Sequence, residues 1–343
     1  MQPPEITGSP SMPPAGGYGE YPQVQLDGLR MWFMVGGGMF RQPMAVKAVD
    51  GVSIALWKGE TLAIVGESGS GKTTLGRVVL RLLEPTDGRL LYAGMDITHA
   101  WQRDLMWLRR TAGIIPQDPY SSVNPTFSIY RILEEPLAVH RLGTPEERAE
   151  KISKALENVK LNPPDLFQAK FPHQLSGGQR QRVAVARAMI LEPEFIVADE
   201  PVSMLDASVR ISILRLLRQL QRKFAITFLY ITHDLATARH FSDRVGIMYA
   251  GKLSEMGPVD AVLGEPLHPY TQALIEAIPD PDPENRLRDR PALPGEPPIL
   301  TAPPPGCRFH PRCPIAKPGL CDVVEPPLRE LRPDHLVACH LAS

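Results

Sequence analysis

Residues 61–74 read TLAIVGESGSGKTT, and the fold is decided by how this stretch divides. Thr61 to Val65 is a short unbroken apolar run, the pattern of a strand buried on both faces. The segment that follows, LGRVVLRLL, spaces its apolar residues as a helix does. Between them, Gly66, Glu67, Ser68, Gly69, Ser70, Gly71, Lys72 and Thr73 match the phosphate-binding pattern G-x-x-x-x-G-K-[ST], with Thr74 directly after it. Glycines let successive backbone N–H groups curl around phosphate oxygens, and the helix N-terminus adds the positive end of its dipole. Lys72 would reach the β- and γ-phosphates of a nucleotide, and the Thr73 hydroxyl would ligate Mg²⁺. A glycine-rich turn matches by accident in roughly one chain of this length in a hundred, so the strand before and the helix after carry much of the weight.

Working outward, residues from about Gln23 to Trp57 alternate polar and apolar around Gly36, Gly37 and Gly38, which predicts antiparallel strands. Toward the C-terminus the elements alternate. A short strand ends within Gly113 to Pro116, Val183 to Leu191 is helical, Phe195 to Ala198 is a strand, Ile211 to Arg222 is helical, and Ala225 to Ile231 is a strand. That order implies a mostly parallel sheet covered on both faces. Tyr130 to Phe171 is instead charged and helical, as in PEERAEKISKALENV, and reads as a helical insertion. Pro279 to Pro305 is Pro-rich with few apolar anchors and is expected to be an extended arm leading to a compact Cys-bearing end. That end is expected to be too Pro-rich to build its own core.

Lys and Arg total 37 against 38 Asp and Glu, a formal charge of -1, so the broad positive field of a non-specific nucleic-acid binder is absent. No apolar run approaches the roughly eighteen residues that would span a bilayer. The start, MQPPEITGSPSMPPAGGYGEYP, has neither the basic nor the apolar region of a secretory signal and is expected to be a disordered tail.

Three further segments carry carboxylate or amide chemistry after apolar strands. Phe195 to Glu200, FIVADE, delivers Asp199 and Glu200 at a strand's C-terminal end, where ligands bind in open α/β sheets. Asp199 would hold Mg²⁺ through its water shell, and Glu200 would deprotonate or polarise the water that attacks the γ-phosphate. Taken alone it is also what a solvated acidic loop looks like. His233 follows the strand FLYIT, and Gln117 in IIPQDP follows another, where its side chain can contact Mg²⁺ and the attacking water. In isolation, a lone histidine there is more often structural, and the glutamine says little. Leu175-Ser176-Gly177-Gly178-Gln179 opens the helix RQRVAVARAMIL, with Ser176 placed as N-cap and the glycines exposing backbone N–H groups. Alone it would pass for a flexible turn.

In order, the P-loop, IIPQDP, LSGGQ, VADEP, Met204-Leu205-Asp206 and ITHD resemble the nucleotide-binding domain of ABC ATPases over about residues 24 to 264. The resemblance implies a P-loop NTPase (RecA-like) α/β core with an N-terminal antiparallel β-subdomain, an inserted helical subdomain at about 120–190, and a small Cys-bearing C-terminal extension. The implied boundaries are a tail at 1–22, the nucleotide-binding domain at 23–265 and the extension at 266–343. It further implies two such domains packed head to tail. Gly66, Gly69, Gly71, Lys72 and Thr73 would grip one ATP while Ser176, Gly177, Gly178 and Gln179 meet the γ-phosphate of the partner's. Asp206 would communicate across the dimer and His233 would sense the γ-phosphate. Phe33 and Phe40 are the candidates for stacking on adenine, and the family's usual Ser-Ala-Leu-Asp is here Ser203-Met204-Leu205-Asp206.

VGESGSGKTTLGR, QDPYSSVNP, FPHQLSGGQRQRV, MYAGKLSEMGP, HPYTQAL from His268 and the ending LPGEPP to the last cysteine are similar to the ATPases of dipeptide and oligopeptide importers. That similarity implies an ATPase pair at the cytoplasmic face of the membrane, beneath two permease subunits fed by an extracytoplasmic solute-binding protein. The permeases would dock after Gln117 and on the helical insertion. Nickel and oligosaccharide importers share the machinery. A soluble ABC ATPase acting on ribosomes or DNA is the reading from another class. It usually carries two nucleotide-binding domains or a long coiled coil, and this chain has one P-loop and no long heptad run. A regulator that binds without turnover would not need Glu200 and an intact LSGGQ.

Cys307, Cys313, Cys321 and Cys339 are all the cysteines, and all lie in the last 37 residues. Random placement does this roughly once in ten thousand chains. In a reducing compartment disulfides are excluded, which leaves metal ligation or four small buried hydrophobes. Zinc sites usually pair their ligands as C-x₂-C. Here five, seven and seventeen residues intervene. Wider gaps suit a larger object, and the resemblance points to a 4Fe-4S cluster.

Overall fold

A computed structural model describes residues 21–36, 43–120, 123–278, 295–296 and 298–343. Residues 1–20 of the expected tail, the turn at Gly37 and Gly38, Phe40 and most of the Pro-rich arm lie outside the described residues. The chain forms two compact units, each treated below by itself.

The unit comprising Gly59–Gly66 and Ala100–Val245 is built on parallel strands in the order Thr61–Val65, Thr227–Thr232, Phe195–Asp199, Ala112–Ile115. The first three are buried at every residue, as unbroken apolar runs in a parallel sheet must be. Val65 lies opposite Thr232, Ile231 opposite Asp199, and Ala198 opposite Ile115. The C-terminal ends therefore share one edge. The helix Ala207–Phe224 buries Ile213, Leu214, Leu217 and Leu220, a stripe at helical spacing whose side chains stabilise by about 2 kcal/mol each. It stops where Ala225 turns left-handed at φ 51°.

The expected helical insertion consists of Ile129–Val139, Pro145–Asn158 and Asp165–Gln168, packed with one another and with Gly177–Met189. Thr144 and Glu147 form a reciprocal capping box before Pro145, which fixes where the second of these begins.

The other unit takes the described residues of Met1–Lys58, Glu67–His99 and Gly246–Ser343. Its antiparallel sheet runs Met44–Leu56, Val24–Val35, Asp87–Tyr92, Met95–Asp96, with Val24 opposite both Leu56 and Tyr92. The helix Lys72–Val79 packs on this sheet through Leu75, Val78 and Val79. The C-terminal ending also contributes strands, which the sequence reading did not anticipate. His335–Val337 pairs antiparallel with Lys252–Pro258 and with Arg329–Arg332.

The ending packs through Phe309 on a core that earlier elements share with it. Tyr249, Tyr270 and Phe309 are buried, with ring centroids 4.6, 5.3 and 5.4 Å apart. Such aromatic contacts hold a short, Pro-rich segment without a long apolar helix or strand. Beside them, fully buried Glu255 accepts from the N–H groups of Leu267 (2.8 Å) and His268 (3.0 Å) and lies 2.7 Å from Nε2 of His335. Burial pushes the His268 imidazole down to about 4, which leaves Nδ1 unprotonated to accept the Tyr270 N–H at 3.0 Å and cap the helix Pro269–Glu276. Among the described residues no helix is long and apolar enough to cross a membrane.

Candidate functional site

The phosphate loop has the geometry its glycines predict. Gly69 and Gly71 take φ +78° and +103°, and a Cβ on Gly71 would stand 1.9 Å from the Ala48 carbonyl oxygen. Only glycine fits there. Ser70 donates its N–H to Glu67 O at 3.2 Å and accepts from the Gly251 N–H at 2.9 Å, so neighbouring segments of the same unit brace the loop. Lys72 is 5% exposed, and its Nζ donates to Glu67 O at 2.8 Å. The Ser70 hydroxyl is buried without a hydrogen-bond partner, an orphaned polar atom in a glycine-shaped loop that fits an anion.

Glu67 itself is held from the C-terminal ending. Its N–H donates to the Tyr270 phenol oxygen at 3.0 Å, and its carboxylate accepts from Arg312 Nη1 at 3.0 Å. The sequence reading singled out neither Tyr270 nor Arg312. Their signal lay inside two motifs used only for the family resemblance, HPYTQAL and the GCRFHPRCP of the ending.

In the other unit the shared sheet edge collects Gln117, Asp199, Glu200 and His233. Gln117 Nε2 donates to Glu200 Oε2 at 3.0 Å, and His233 Nδ1 stands 3.2 Å from the same oxygen. The Glu200 side chain is 15% exposed, while that of His233 is 57% exposed. Glu200 also takes a left-handed φ of 46°, a conformation costing a non-glycine residue about 1–3 kcal/mol. Its N–H donates to Ile231 O at 2.9 Å, and Ser203 Oγ donates to its carbonyl at 3.0 Å, which hold the turn. The neighbouring Asp199 is buried. A carboxylate aimed by an amide and an imidazole, with limited water access, can take a proton from a water placed against it.

Ser176 is the N-cap of Gly177–Met189 as expected, and its capping box with Gln179 is reciprocal, at 3.0 and 3.3 Å. Ser176 and Gly177 are exposed. A Cβ on Gly178 would lie 2.6 Å from Val209 Cγ1, so this glycine lets the helix start approach the segment after Asp206. Asp206 is the exposed N-cap residue of Ala207–Phe224, with no capping bond from its side chain. Phe33 is half-buried within its strand, opposite Val46.

The four cysteines are free thiols gathered in one region. Burial first, with smaller contributions from nearby Cys339, Cys313 and Cys321, pushes the Cys307 thiol up to about 11, and burial also raises Cys313. Backbone N–H groups of Lys317 and Leu341 donate to Cys321 Sγ and Cys339 Sγ at 3.4 Å, and those of Phe309 and Ile315 to Cys307 and Cys313. Such donors suit thiolates. A closed cage is nevertheless not formed, because no three His, Cys, Asp or Glu among the described residues converge as a metal-holding group. The expectation of a 4Fe-4S cluster therefore finds no support in the arrangement of the described residues. Burial of the Cys307 and Cys313 thiols favours their protonated form.

A nucleotide-type phosphate loop, an aimed carboxylate and a capped glycine signature in one α/β chain define an ATP-hydrolysing cassette. The chain belongs to the ABC transporter family, in its oligopeptide and dipeptide branch. The ABC transporter family model matches residues 49–203, and that of the oligopeptide/dipeptide transporter C-terminal region matches 254–321. The oligopeptide transport ATP-binding protein AppF of Bacillus subtilis is 45% identical over 323 residues, 93% of this chain and 97% of that protein. Among solved structures, the ADP- and phosphate-bound dimer of the ATP-binding cassette MJ0796 superposes with a TM-score of 0.62 at 29% identity, covering 69% of this chain and 98% of that one. CbiO1 from Clostridium perfringens, part of the ABC transporter complex cbiONQ, gives 0.62 at 28% identity, covering 72% and 92%.

Proposed function

We propose that this chain is the ATPase subunit of a peptide importer, and the observation that carries its catalytic part is the Glu200 carboxylate held between Gln117 and His233. Lys72 and the loop N–H groups from Gly66 to Thr74 bind the ATP phosphates. Thr73, Asp199 and Gln117 serve the Mg²⁺ that neutralises them, Glu200 takes the proton of the attacking water, and His233 senses the γ-phosphate. Ser176, Gly177, Gly178 and Gln179 are free to serve a nucleotide on a second ATPase subunit, identical or homologous, with Asp206 signalling between the two. Phe33 is the adenine-stacking candidate among the described residues.

Peptides are the proposed cargo because the C-terminal match is to oligopeptide and dipeptide transporters and AppF bears an oligopeptide transport name. The partners are two membrane permeases and, through them, an extracytoplasmic binding protein, with this chain at the cytoplasmic face. Tyr120, Val139 and Leu166 on the stretch after Gln117 expose 52, 62 and 63% of their surface and offer an apolar landing for the permeases. Co-expression with the neighbouring permease genes, affinity purification and reconstitution in liposomes tests this. Permeases should co-purify, and a peptide-loaded binding protein should stimulate ATP hydrolysis. ATPase activity without any membrane partner, or stimulation by nickel or oligosaccharide alone, refutes the peptide reading.

The four cysteines are proposed to take up a metal group, a 4Fe-4S cluster by family resemblance, on thiols already furnished with N–H donors. Protein purified anaerobically should then be brown, with iron and sulfide that Cys313→Ser loses. Colourless protein with one zinc per chain would refute the iron–sulfur assignment.

A further inference from the structure

The motifs HPYTQAL and GCRFHPRCP have no part in the hydrolysis just described, yet both end on the phosphate loop. Tyr270 comes from the first and Arg312 from the second, and both grip Glu67. Tyr270 is fully buried and Arg312 is 7% exposed. Each is fixed before it reaches the loop. Tyr270 sits in the first turn of a helix whose cap, His268, is itself held by Glu255. Arg312 lies in the turn His310–Arg312, which begins with the His310 N–H on Cys307 O at 3.0 Å, and its Nη1 also stands 3.3 Å from the Tyr249 hydroxyl.

What they grip decides the inference. Glu67 is the second residue of the loop, and its carbonyl oxygen receives both Lys72 Nζ at 2.8 Å and the Ser70 N–H at 3.2 Å. A bond made only to pin the ending could fall on any strand of the unit. This one falls on the residue that sets where the lysine and the loop's N–H groups stand. A largely buried ion pair also resists the solvent screening and side-chain freedom that make surface pairs weak.

We propose that Tyr270 and Arg312 are positioning residues of the nucleotide site, and that the C-terminal ending sets the P-loop's grip on ATP through Glu67. This rests on the P-loop reading of residues 66–73. The test uses the full-length chain, a fluorescent ATP analogue for equilibrium binding, and steady-state hydrolysis. Arg312→Ala should weaken ATP binding roughly tenfold or more, the size of a lost charge-assisted hydrogen bond, and should raise KM more than it lowers kcat. Arg312→Lys should recover part of the affinity, and Glu67→Gln should add little loss in the Arg312→Ala background because both remove the same contact. Tyr270→Phe deletes one hydroxyl and keeps the buried ring, so it reads the second contact even if Arg312→Ala folds poorly; its affinity should fall a few-fold. Folded Arg312→Ala and Tyr270→Phe with wild-type ATP affinity would overturn the clamp, as would a fall in kcat with KM unchanged. Wild-type chain that fails to bind ATP, or Lys72→Ala that binds it as well as wild type, would overturn the P-loop reading and the clamp with it.

Discussion

The chain carries two glycine-bearing helix starts, and they are built in opposite ways. The phosphate loop before Lys72–Val79 is enclosed. Gly71 lies against the Ala48 carbonyl, Lys72 is 5% exposed, and Glu67 is held from segments about two hundred residues away, at separations of 203 and 245. The signature before Gly177–Met189 is open at its tip. Ser176 and Gly177 face solvent, and its local order comes from the capping box between Ser176 and Gln179. A site that must recognise a nucleotide by itself gains from donors fixed in advance, which reduces what ordering costs on binding. A site that completes another molecule's nucleotide needs to be reachable. This contrast is what the proposed division of labour requires, with the enclosed loop binding a nucleotide and the open helix start meeting a partner's.

The largest expected effects fall on turnover. Glu200→Gln should hydrolyse ATP at least about a hundredfold more slowly while still binding it, because it removes a base and leaves the enclosed loop intact. Turnover near wild type would remove Glu200 from the chemistry. Ser176→Arg should also stop hydrolysis without abolishing ATP binding to the isolated subunit, since Ser176 is proposed to act on the other subunit's nucleotide. Loss of binding instead would break the contrast between the two helix starts.

Next in size is affinity. Lys72→Ala should weaken ATP binding roughly ten- to a hundredfold by deleting a buried cation from the phosphates, measured by equilibrium titration. Unchanged affinity would argue that the enclosed loop does not bind phosphate.

A paired glycine substitution sharpens the comparison at the level of folding. Gly71→Ala forces a Cβ to 1.9 Å from a backbone oxygen at φ +103°, whereas Gly177→Ala places one at 3.6 Å from Leu205 Cδ2 with no positive φ. The first should lower stability by about 1–3 kcal/mol and cost ATP binding. The second should stay within about 1 kcal/mol of wild type, since alanine favours the helix. Equal melting temperatures for the two would mean that the enclosed loop tolerates what its geometry forbids.

Much of this was legible in sequence because the signals are local. The strands Phe195–Asp199 and Thr227–Thr232 were read to within a few residues from unbroken apolar runs, and the Ser176 cap from its position before a periodic segment. Gln117, Glu200 and His233 were placed on one edge by the rule that parallel strands present their C-terminal ends together, and their shared oxygen bears that out. What stayed hidden is non-local. Nothing near Glu67 announces Tyr270 or Arg312, and the short strand His335–Val337 exists only because Lys252–Pro258 offers it an edge. The left-handed φ of Glu200 was equally out of reach, since it is imposed by the strand to which its N–H donates rather than by its own preference. Spacing and the family resemblance together pointed to a 4Fe-4S cluster at the four cysteines, and among the described residues no group of metal-holding side chains is formed to support it.

The smallest expected effect separates the signature's two tasks. Ser176→Ala removes the side-chain acceptor for the Gln179 N–H, a bond of 3.3 Å, and should cost about 1 kcal/mol of stability, a typical N-cap loss. Ser176→Asp keeps an acceptor in the same place and, as a carboxylate at a helix N-terminus, should restore or exceed wild-type stability. Cap and function then part company. A negative charge at Ser176 would repel a γ-phosphate that the serine is proposed to receive, so the stable Asp variant should turn over more slowly than the less stable Ala variant. Melting curves and steady-state ATPase rates on the same preparations read both quantities. If activity follows stability across Ser, Ala and Asp, the open helix start is only a well-capped turn; if the two orders invert, its exposure serves an anion that arrives from outside the chain.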